Sequence, residues 1–211
     1  MTELLLELYS EEIPPQLQIA ARSQIKQYIE NSFKEENINY KELSVYSSPT
    51  RLTLVAKDLS EEITTEAKEI KGPKTGSSDQ VIQGFIKAKN VSDKDLIEKD
   101  TEKGKFYFIK TQPQSILVED LLNKIIPKTI ASIYWKKSMK WSDHNLMWGR
   151  PLRSIFARFN NKKLLFRFDH LEVTDEIIIE QDLVIKTKKI KDYKKYFNFL
   201  KSNQIIINHN E

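Results

Sequence analysis

The stretch from Lys136 to Phe159 carries the residues best suited to binding a charged partner. It holds Trp141 and Trp148, two of the chain's three tryptophans, and the third, Trp135, comes directly before it. Residues 136–163 include eight basic residues and one acid, a local charge of +7 in a chain whose total is +4. Cations interleaved with aromatic rings can neutralise phosphates and stack on bases. The same pattern also fits a structural role, in which the tryptophans anchor a core and the lysines form its solvated rim.

The absence of cysteine and the spacing of the histidines argue against a thiol enzyme or a metal site. The sequence has no cysteine, which excludes disulfides, thiolate ligands and thiol nucleophiles. Its three histidines are isolated and share no ligand spacing: His144, His170 and His209. An isolated histidine is usually structural, so we expect no metal site.

Two further patterns could suggest catalysis, but both are better explained without it. Glu11 and Glu12 are adjacent, so their side chains point in different directions, and with Pro14 and Pro15 they predict the start of a helix. The flexible residues 75–78 are not followed by the Gly-Lys-Ser/Thr of a phosphate-binding loop. The sequence therefore predicts no catalytic residue.

The composition is that of a soluble globular protein. Charged residues make up 30% and hydrophobic residues 39% of 211 positions. No apolar run approaches the length of a membrane span. The N-terminus has an acid at position 3 and no basic region, so it does not resemble a signal peptide. We expect a cytoplasmic protein with no membrane partner.

Predicted strands alternate with amphipathic helices, which indicates an α+β or mixed α/β fold with a mixed sheet and flanking helices. The predicted strands cover residues 3–9, 51–55, 104–110, 152–159, 164–168, 176–180, 183–187 and 204–208. The predicted helices cover residues 15–36, 79–90, 93–99 and 115–134, with a last one around 193–200. Pro127 should break or kink the fourth helix.

Alternation within the strands predicts which side chains share a face. Arg51 should lie on the opposite face from Leu52 and Leu54. Phe106 and Phe108 share one face of their strand, and packing in a core is favoured over a base-stacking platform.

The sequence shows no internal repeat and no long low-complexity linker. Any domain border must therefore fall in a short loop, and we place it near residues 168–175. It divides a mixed α/β domain at residues 1–168 from residues 169–211, which form either the start of a second lobe or a continuation of the same domain.

Five segments in order along the chain match the motifs of one known family. They include L-x-E-x-x-(S/T)-E-E-(L/I)-P-P, (S/T)-P-x-R-L, a basic-Gly-Pro, a Gly-Phe, and K-x-M-R-W followed by Arg-Pro. The matching positions are residues 5–15, 48–52, 71–73, 84–85 and 137–141, with Arg150-Pro151. Together they resemble the beta subunit of the bacterial heterotetrameric glycyl-tRNA synthetase, and the resemblance extends over essentially the whole chain.

The chain departs from the family at two places. Thr50 stands where the family often carries an arginine, so one contact that such an arginine could make is missing. Residues 180–183 replace a Gly-His-Arg-Phe segment, so no role of that His-Arg pair can be carried over.

The resemblance implies that the chain corresponds to the N-terminal part of a much longer beta subunit, with a fold similar to the B3/B4 module of phenylalanyl-tRNA synthetase beta subunits. It implies an alpha subunit that carries the class II active site, where ATP and Mg are used, so no cofactor is expected in this chain. The implied partners are that alpha subunit and the tRNA for glycine, in an assembly of two alpha and two beta subunits.

The resemblance and the charge pattern together predict a surface that contacts tRNA. Its expected residues are Lys136, Lys137, Lys140, Trp141, Arg150, Arg153 and Arg51. Arg153 shares the parity of Ile155 in its strand, and on an apolar face it would need a phosphate or a carboxylate such as Asp169 as partner.

Two alternatives remain open from the sequence. The chain could be a protein-assembly module, with the basic stretch covered by protein rather than RNA. It could also be a hydrolytic editing domain, but glycine is the smallest amino acid, so a tight synthetic pocket already excludes larger ones and a second sieve is not needed.

Overall fold

The structure is a computed structural model that describes residues 2–65, 69–89, 96–101, 104–110, 113–141, 143–181 and 184–208. Contacts divide the chain into two compact units, of which unit 1 comprises residues 1–63 and 117–211 and unit 2 comprises residues 64–116. The border expected near residues 168–175 lies inside unit 1.

The fold is mixed α+β. In chain order the described helices are α1 (Pro15–Glu35), α2 (Asp79–Lys89), α3 (Val118–Ser132) and α4 (Tyr193–Ser202). The described strands are β1 (Glu3–Ser10), β2 (Glu42–Ser48), β3 (Arg51–Lys57), β4 (Glu62–Thr65), β5 (Glu69–Lys74), β6 (Leu96–Thr101), β7 (Gly104–Lys110), β8 (Gln114–Leu117), β9 (Met139–Lys140), β10 (Met147–Trp148), β11 (Leu152–Phe159), β12 (Lys162–Lys163), β13 (Arg167–Phe168), β14 (Leu171–Thr174), β15 (Glu176–Gln181) and β16 (Val184–Lys189). Among these helices, none is both long and apolar enough to cross a membrane.

The leucine-rich strand β1 lies at the centre of the main sheet of unit 1. The strand order is β13-β14-β11-β1-β3-β2, and β12 pairs with the free part of β11. β1 pairs antiparallel with both neighbours, β3 and β11, whereas β11 and β14 run parallel. All of β1 from Leu4 to Ser10 is buried, as the nearly continuous apolar run predicts for a central strand.

Each face of this sheet packs against a separate layer. Leu4, Leu6 and Leu8 of β1 share one core with the buried faces of α1 and α3. On the opposite face, Leu5 packs with β15 and with α4, which contributes Tyr196. The alternation of β1 therefore places Leu4, Leu6 and Leu8 on one side of the sheet and Leu5 on the other.

Unit 2 is a small sheet in the order β5-β7-β6 with the helix α2. Phe85 of α2 lies against Gly72 of β5, where an added Cβ would be 2.6 Å from the ring. Gly72 and Ile70 are two positions apart in β5 and so share a face. Ile70 pairs with Ile109, which is buried, so α2 covers the face that carries these two isoleucines.

The pair Phe106 and Phe108 lies on the opposite face of β7 and is only half-buried, so the expected core packing is wrong. Lysine side chains cover the rings: Lys71 Nζ lies 3.6 Å from the ring centre of Phe106, and Lys99 Nζ lies 5.8 Å from that of Phe108. Cation–π contacts take the place of a second apolar layer there.

Several predicted elements are confirmed and others are wrong. The strands β1, β7, β11, β15 and β16 and the helices α1, α2 and α4 lie where they were predicted. Asn160 and Asn161 adopt φ of 46° and 64° in the predicted hairpin turn, although the returning strand β12 begins at Lys162 rather than residue 164. The sequence predicts a break or kink at Pro127; α3 continues through it, so the break does not occur, and the kink stays a prediction.

Three segments differ from the prediction, two of them because pairing with another strand decides their conformation. Residues 96–99, predicted as helix, belong to β6 and pair with β7, and residues 115–117 belong to β8 and pair with β4. Residues 205–208, predicted as strand, have no regular structure, although Ile207 is buried in the second core. Residues 93–95 lie outside the described part of the chain.

Candidate nucleic-acid interface

The tryptophans of the basic stretch anchor a short hairpin to unit 1. Strands β9 and β10 pair through Met139 with Trp148 and Lys140 with Met147. Trp148 and Trp135 are buried, with ring centres 4.9 Å apart at an angle of 58°. The structural interpretation of the tryptophans is therefore confirmed for Trp135 and Trp148, whereas Trp141 is half-buried.

Close packing at Gly149 allows this tryptophan pair to form. A Cβ added at Gly149 would lie 2.4 Å from the ring of Trp135, far inside van der Waals contact. A residue without a side chain is therefore required directly after β10, and it allows the indole of Trp135 to approach the backbone closely.

The lysines of the hairpin point outward. Lys136, Lys137 and Lys140 are all exposed. Lys140 Nζ donates a hydrogen bond to the side-chain oxygen of Asn145 at 3.2 Å, a neutral partner within the same hairpin. The ammonium groups of these three lysines are therefore accessible to phosphates in solution.

Arg150 connects this hairpin to the N-terminal segment. Its Nε donates to the main-chain oxygen of Glu12 at 3.1 Å, and its guanidinium lies 3.9 Å from the sulfur of Met139. The side chain is half-buried, so it acts partly as a brace between residues distant in sequence.

Three of the segments that match the family motifs meet at the end of the sheet where β1 ends. The main-chain N–H of Ser10 donates to the oxygen of Thr50 at 2.9 Å, and that of Ile13 donates to Pro49 at 2.6 Å. The N–H of Glu11 donates to the oxygen of Pro151 at 3.0 Å. The central position of β1 causes this convergence, since β3 and β11 flank it and bring their connecting loops to the same edge.

Arg153 is held by two carboxylates rather than by Asp169. Its guanidinium lies 2.6 Å from Glu180 and 3.3 Å from Glu11. The register of β1 with β11 shifts between Tyr9 and Ser10, which leaves Arg153 as the extra residue of a bulge. The bulge overrides the parity with Ile155 and turns the arginine toward Glu180.

The same two acids balance the positive charge of Arg153. Burial alone would lower the pKa of its guanidinium, but the hydrogen bond and charge of Glu180 outweigh burial and raise it. With a side chain 37% exposed and two anionic partners, Arg153 carries little unbalanced positive charge for a phosphate.

Arg51 occupies the predicted face of β3, but it lies inside the protein. Its Nε forms an ion pair with Glu7 at 3.1 Å, and both side chains are 1% exposed. The guanidinium also donates to the main-chain oxygen of Ile178 and lies 4.6 Å from the ring centre of Tyr9. Buried and paired in this way, Arg51 cannot reach a phosphate, so the expected tRNA contact does not fit the structure.

Glu7 is the centre of a buried polar network that was not predicted from the sequence. Tyr196 of α4 donates its hydroxyl to Glu7 at 2.5 Å, and the same hydroxyl lies 2.8 Å from that of Thr53. Burial raises the pKa of Glu7 more than Arg51 and Tyr196 lower it. The signal was present in the sequence, because an acid in the apolar β1 and an arginine in the apolar β3 each require a buried partner.

Comparison with known proteins agrees with the motif matches. The model of the family "Glycyl-tRNA synthetase beta subunit" matches residues 4–211. The glycine--tRNA ligase beta subunit of Rickettsia bellii (strain OSU 85-389) is 34% identical over 207 residues, and that of Rickettsia prowazekii (strain Madrid E) is 36% identical over 208 residues. Each match covers 98% of this chain and 31% of the relative, so the chain spans about a third of the length of the relatives it matches. The chain belongs to the glycyl-tRNA synthetase beta subunit family.

Proposed function

We propose that this chain serves the ATP-dependent attachment of glycine to its tRNA, as the tRNA-binding and subunit-assembling N-terminal part of a glycyl-tRNA synthetase beta subunit. Glycine activation, with ATP and Mg, takes place on the alpha subunit, and two alpha and two beta subunits form the cytoplasmic enzyme. The names of the relatives support the ligase activity, and the word "beta" in them supports an alpha partner.

The observation that carries the tRNA part of the proposal is the position of three lysines. Lys136, Lys137 and Lys140 are exposed around a hairpin that Trp135 and Trp148 fix to the core. A rigid base limits the conformational entropy that the lysines lose on binding, since only their side chains must become ordered. Trp141 follows Lys140 in the sequence, and the guanidinium of Arg150 lies 3.9 Å from the sulfur of Met139. Both residues are half-buried, so they would supply stacking and a more ordered cation.

The test reverses the charge of Lys136 and Lys137 in the complete alpha–beta enzyme, as K136E/K137E. We expect weaker tRNA binding, and the log–log dependence of affinity on salt should become shallower by about 0.7 to 0.9 for each lost phosphate contact. Glycine-dependent pyrophosphate exchange without tRNA should be unchanged, because activation is assigned to the alpha subunit.

A matched control makes the same charge change elsewhere on unit 1. Lys34 and Lys41 are also exposed, and K34E/K41E alters the net charge by the same amount. The control should keep the salt dependence of the parent enzyme. Equal tRNA affinity and equal slope in K136E/K137E and the parent enzyme would overturn the tRNA-binding proposal.

One observation favours subunit assembly as a second function of the same hairpin. Met139 and Met147 are 46% and 51% exposed, and flexible methionine side chains are frequent on protein-binding surfaces. If the hairpin contacts protein, changing both to serine should dissociate the tetramer in sedimentation velocity while the isolated chain keeps its melting temperature. An intact tetramer would exclude this role.

A further inference from the structure

Two turns of unit 1 bring together three side chains with metal-binding chemistry. His144 lies in the connection between β9 and β10, and Asp169 and His170 form the two-residue turn between β13 and β14. The imidazole rings of His144 and His170 are stacked, with centres 3.6 Å apart and planes at 9°. His170 Nδ1 lies 2.7 Å from a carboxylate oxygen of Asp169. These histidines look isolated in the sequence because their contact is tertiary.

The donor atoms are close enough to share one ion. One nitrogen of each histidine and a carboxylate oxygen of Asp169 all lie within 4.8 Å of one another. Two imidazoles and one carboxylate are a donor set typical of zinc sites that keep a position open for water. The neighbouring cation Arg167 bonds to the main-chain oxygen of Asp169 at 2.8 Å and leaves the carboxylate to His170.

We propose that His144, Asp169 and His170 bind a divalent transition-metal ion, with zinc the best match to the ligands. Each histidine contributes one ring nitrogen and Asp169 one carboxylate oxygen, and water completes the coordination. The proposal is independent of tRNA binding.

Binding requires a small local rearrangement. Ligands of tetrahedral zinc lie about 3.4 Å apart at the usual zinc–ligand lengths, so the three donor atoms must draw closer together. His144 must also turn out of the stack, because two parallel rings cannot both direct lone pairs in their planes at one ion. His144 is exposed, so no core packing opposes this rotation.

An ion at this position would connect two separate segments of unit 1. The hairpin β9–β10 and the hairpin β13–β14 are already joined through the ring contact of Trp148 with Phe168, whose centres are 6.3 Å apart. Metal ligation would hold their turns together as well, so binding should raise the melting temperature of the chain.

The experiment titrates chelator-treated chain with zinc chloride by calorimetry and with cobalt chloride by visible absorption. We expect one zinc per chain and a cobalt d–d band of a low-coordinate site, whereas magnesium should give neither heat nor stabilisation. H144A and H170A should each weaken zinc binding at least about tenfold and remove the zinc-dependent rise in melting temperature.

The third histidine provides the matched control. H209A removes an imidazole that is not among the three proposed ligands and should bind zinc as the parent does. Far-ultraviolet circular dichroism of each variant without metal establishes that it is folded. The proposal is overturned if the parent shows no saturable zinc binding, if H209A weakens binding as much as H144A does, or if folded H144A and H170A bind as tightly as the parent.

Discussion

Glu7, Arg51 and Tyr196 form a closed polar group between the main sheet and α4. Each comes from a different element, and the group is surrounded by the second core, which includes Leu5 and Phe156. Buried ion pairs of this kind contribute little net stability compared with an apolar replacement, but removing one partner is costly because it leaves an uncompensated charge. The group therefore links α4 to the sheet through Glu7, with little expected gain in net stability.

The pKa of Glu7 gives a prediction about stability and pH. Since burial raises the pKa of Glu7 above its unfolded value of 4.5, folding is favoured by its protonated form. This contribution is fully present below pH 4.5 and is lost as the pH rises through the folded pKa. In E7Q the side chain is always neutral, so the free energy of unfolding of E7Q should rise relative to that of the parent as the pH rises above 4.5.

Urea unfolding at a series of pH values measures this difference. E35Q removes one negative charge from the exposed surface of α1 and corrects for the change in net charge. If the parent instead gains stability over E7Q as the pH rises, then the ion pair with Arg51 outweighs burial, and the pKa of Glu7 is lowered rather than raised by folding.

At the scale of the elements, Gly149 determines whether the β9–β10 hairpin can dock. In G149A the new methyl group meets the ring of Trp135, and moving a buried indole should cost about 1–3 kcal/mol of stability. The near-ultraviolet circular dichroism of the tryptophan pair should change at the same time, because the 4.9 Å contact with Trp148 is disturbed.

Gly84 in α2 provides a control, because the same change to alanine there should raise stability and not lower it. A Cβ added there meets nothing within 4 Å, and alanine is favoured over glycine inside a helix by about 1 kcal/mol. Thermal unfolding of both variants makes the comparison: G84A should melt at or above the parent temperature and G149A below it. A G149A variant as stable as the parent would mean that the indole can shift without cost.

Elements with a strong local pattern could be predicted from the sequence, and those whose conformation depends on a strand partner could not. The apolar run of β1 and the stripe of α1 are such local patterns. The segment 96–99 has an ambiguous pattern that pairing with β7 resolves as strand. The bulge at Arg153 left no local trace, so its partners Glu11 and Glu180 could not be predicted. The likeness to the B3/B4 module stays a prediction.

At the scale of the whole molecule, unit 2 is an insertion in unit 1. Among the described residues, neither core cluster of unit 1 includes a residue from 64–116. The chain positions before and after the insertion are already joined, since the N–H of Val118 donates to the oxygen of Glu61 at 2.9 Å. Sequence patterns did not reveal this arrangement, because it depends on a contact between residues separated by the whole of unit 2.

The insertion predicts that unit 1 folds without unit 2. Replacing residues 64–116 by a short Gly-Ser linker should leave a chain with a cooperative thermal transition and tryptophan fluorescence like that of the parent. The same linker inserted in place of residues 17–33 removes most of α1 from the first core and should abolish cooperative unfolding. Loss of cooperativity in the first deletion would show that unit 1 depends on unit 2.

The central position of β1 has a consequence for synthesis on the ribosome. β1 emerges before both of its neighbours and can pair with β3 soon afterwards, but its other edge must wait for β11, which ends at Phe159. About 100 residues separate the end of β3 from the end of β11, so at ~5–20 residues per second the leucine-rich edge stays unpaired for roughly 5–20 seconds. An unpaired apolar strand edge is a template for aggregation. About half of that delay is the time needed to translate unit 2, so its insertion prolongs the period in which the unpaired edge of β1 is open to aggregation.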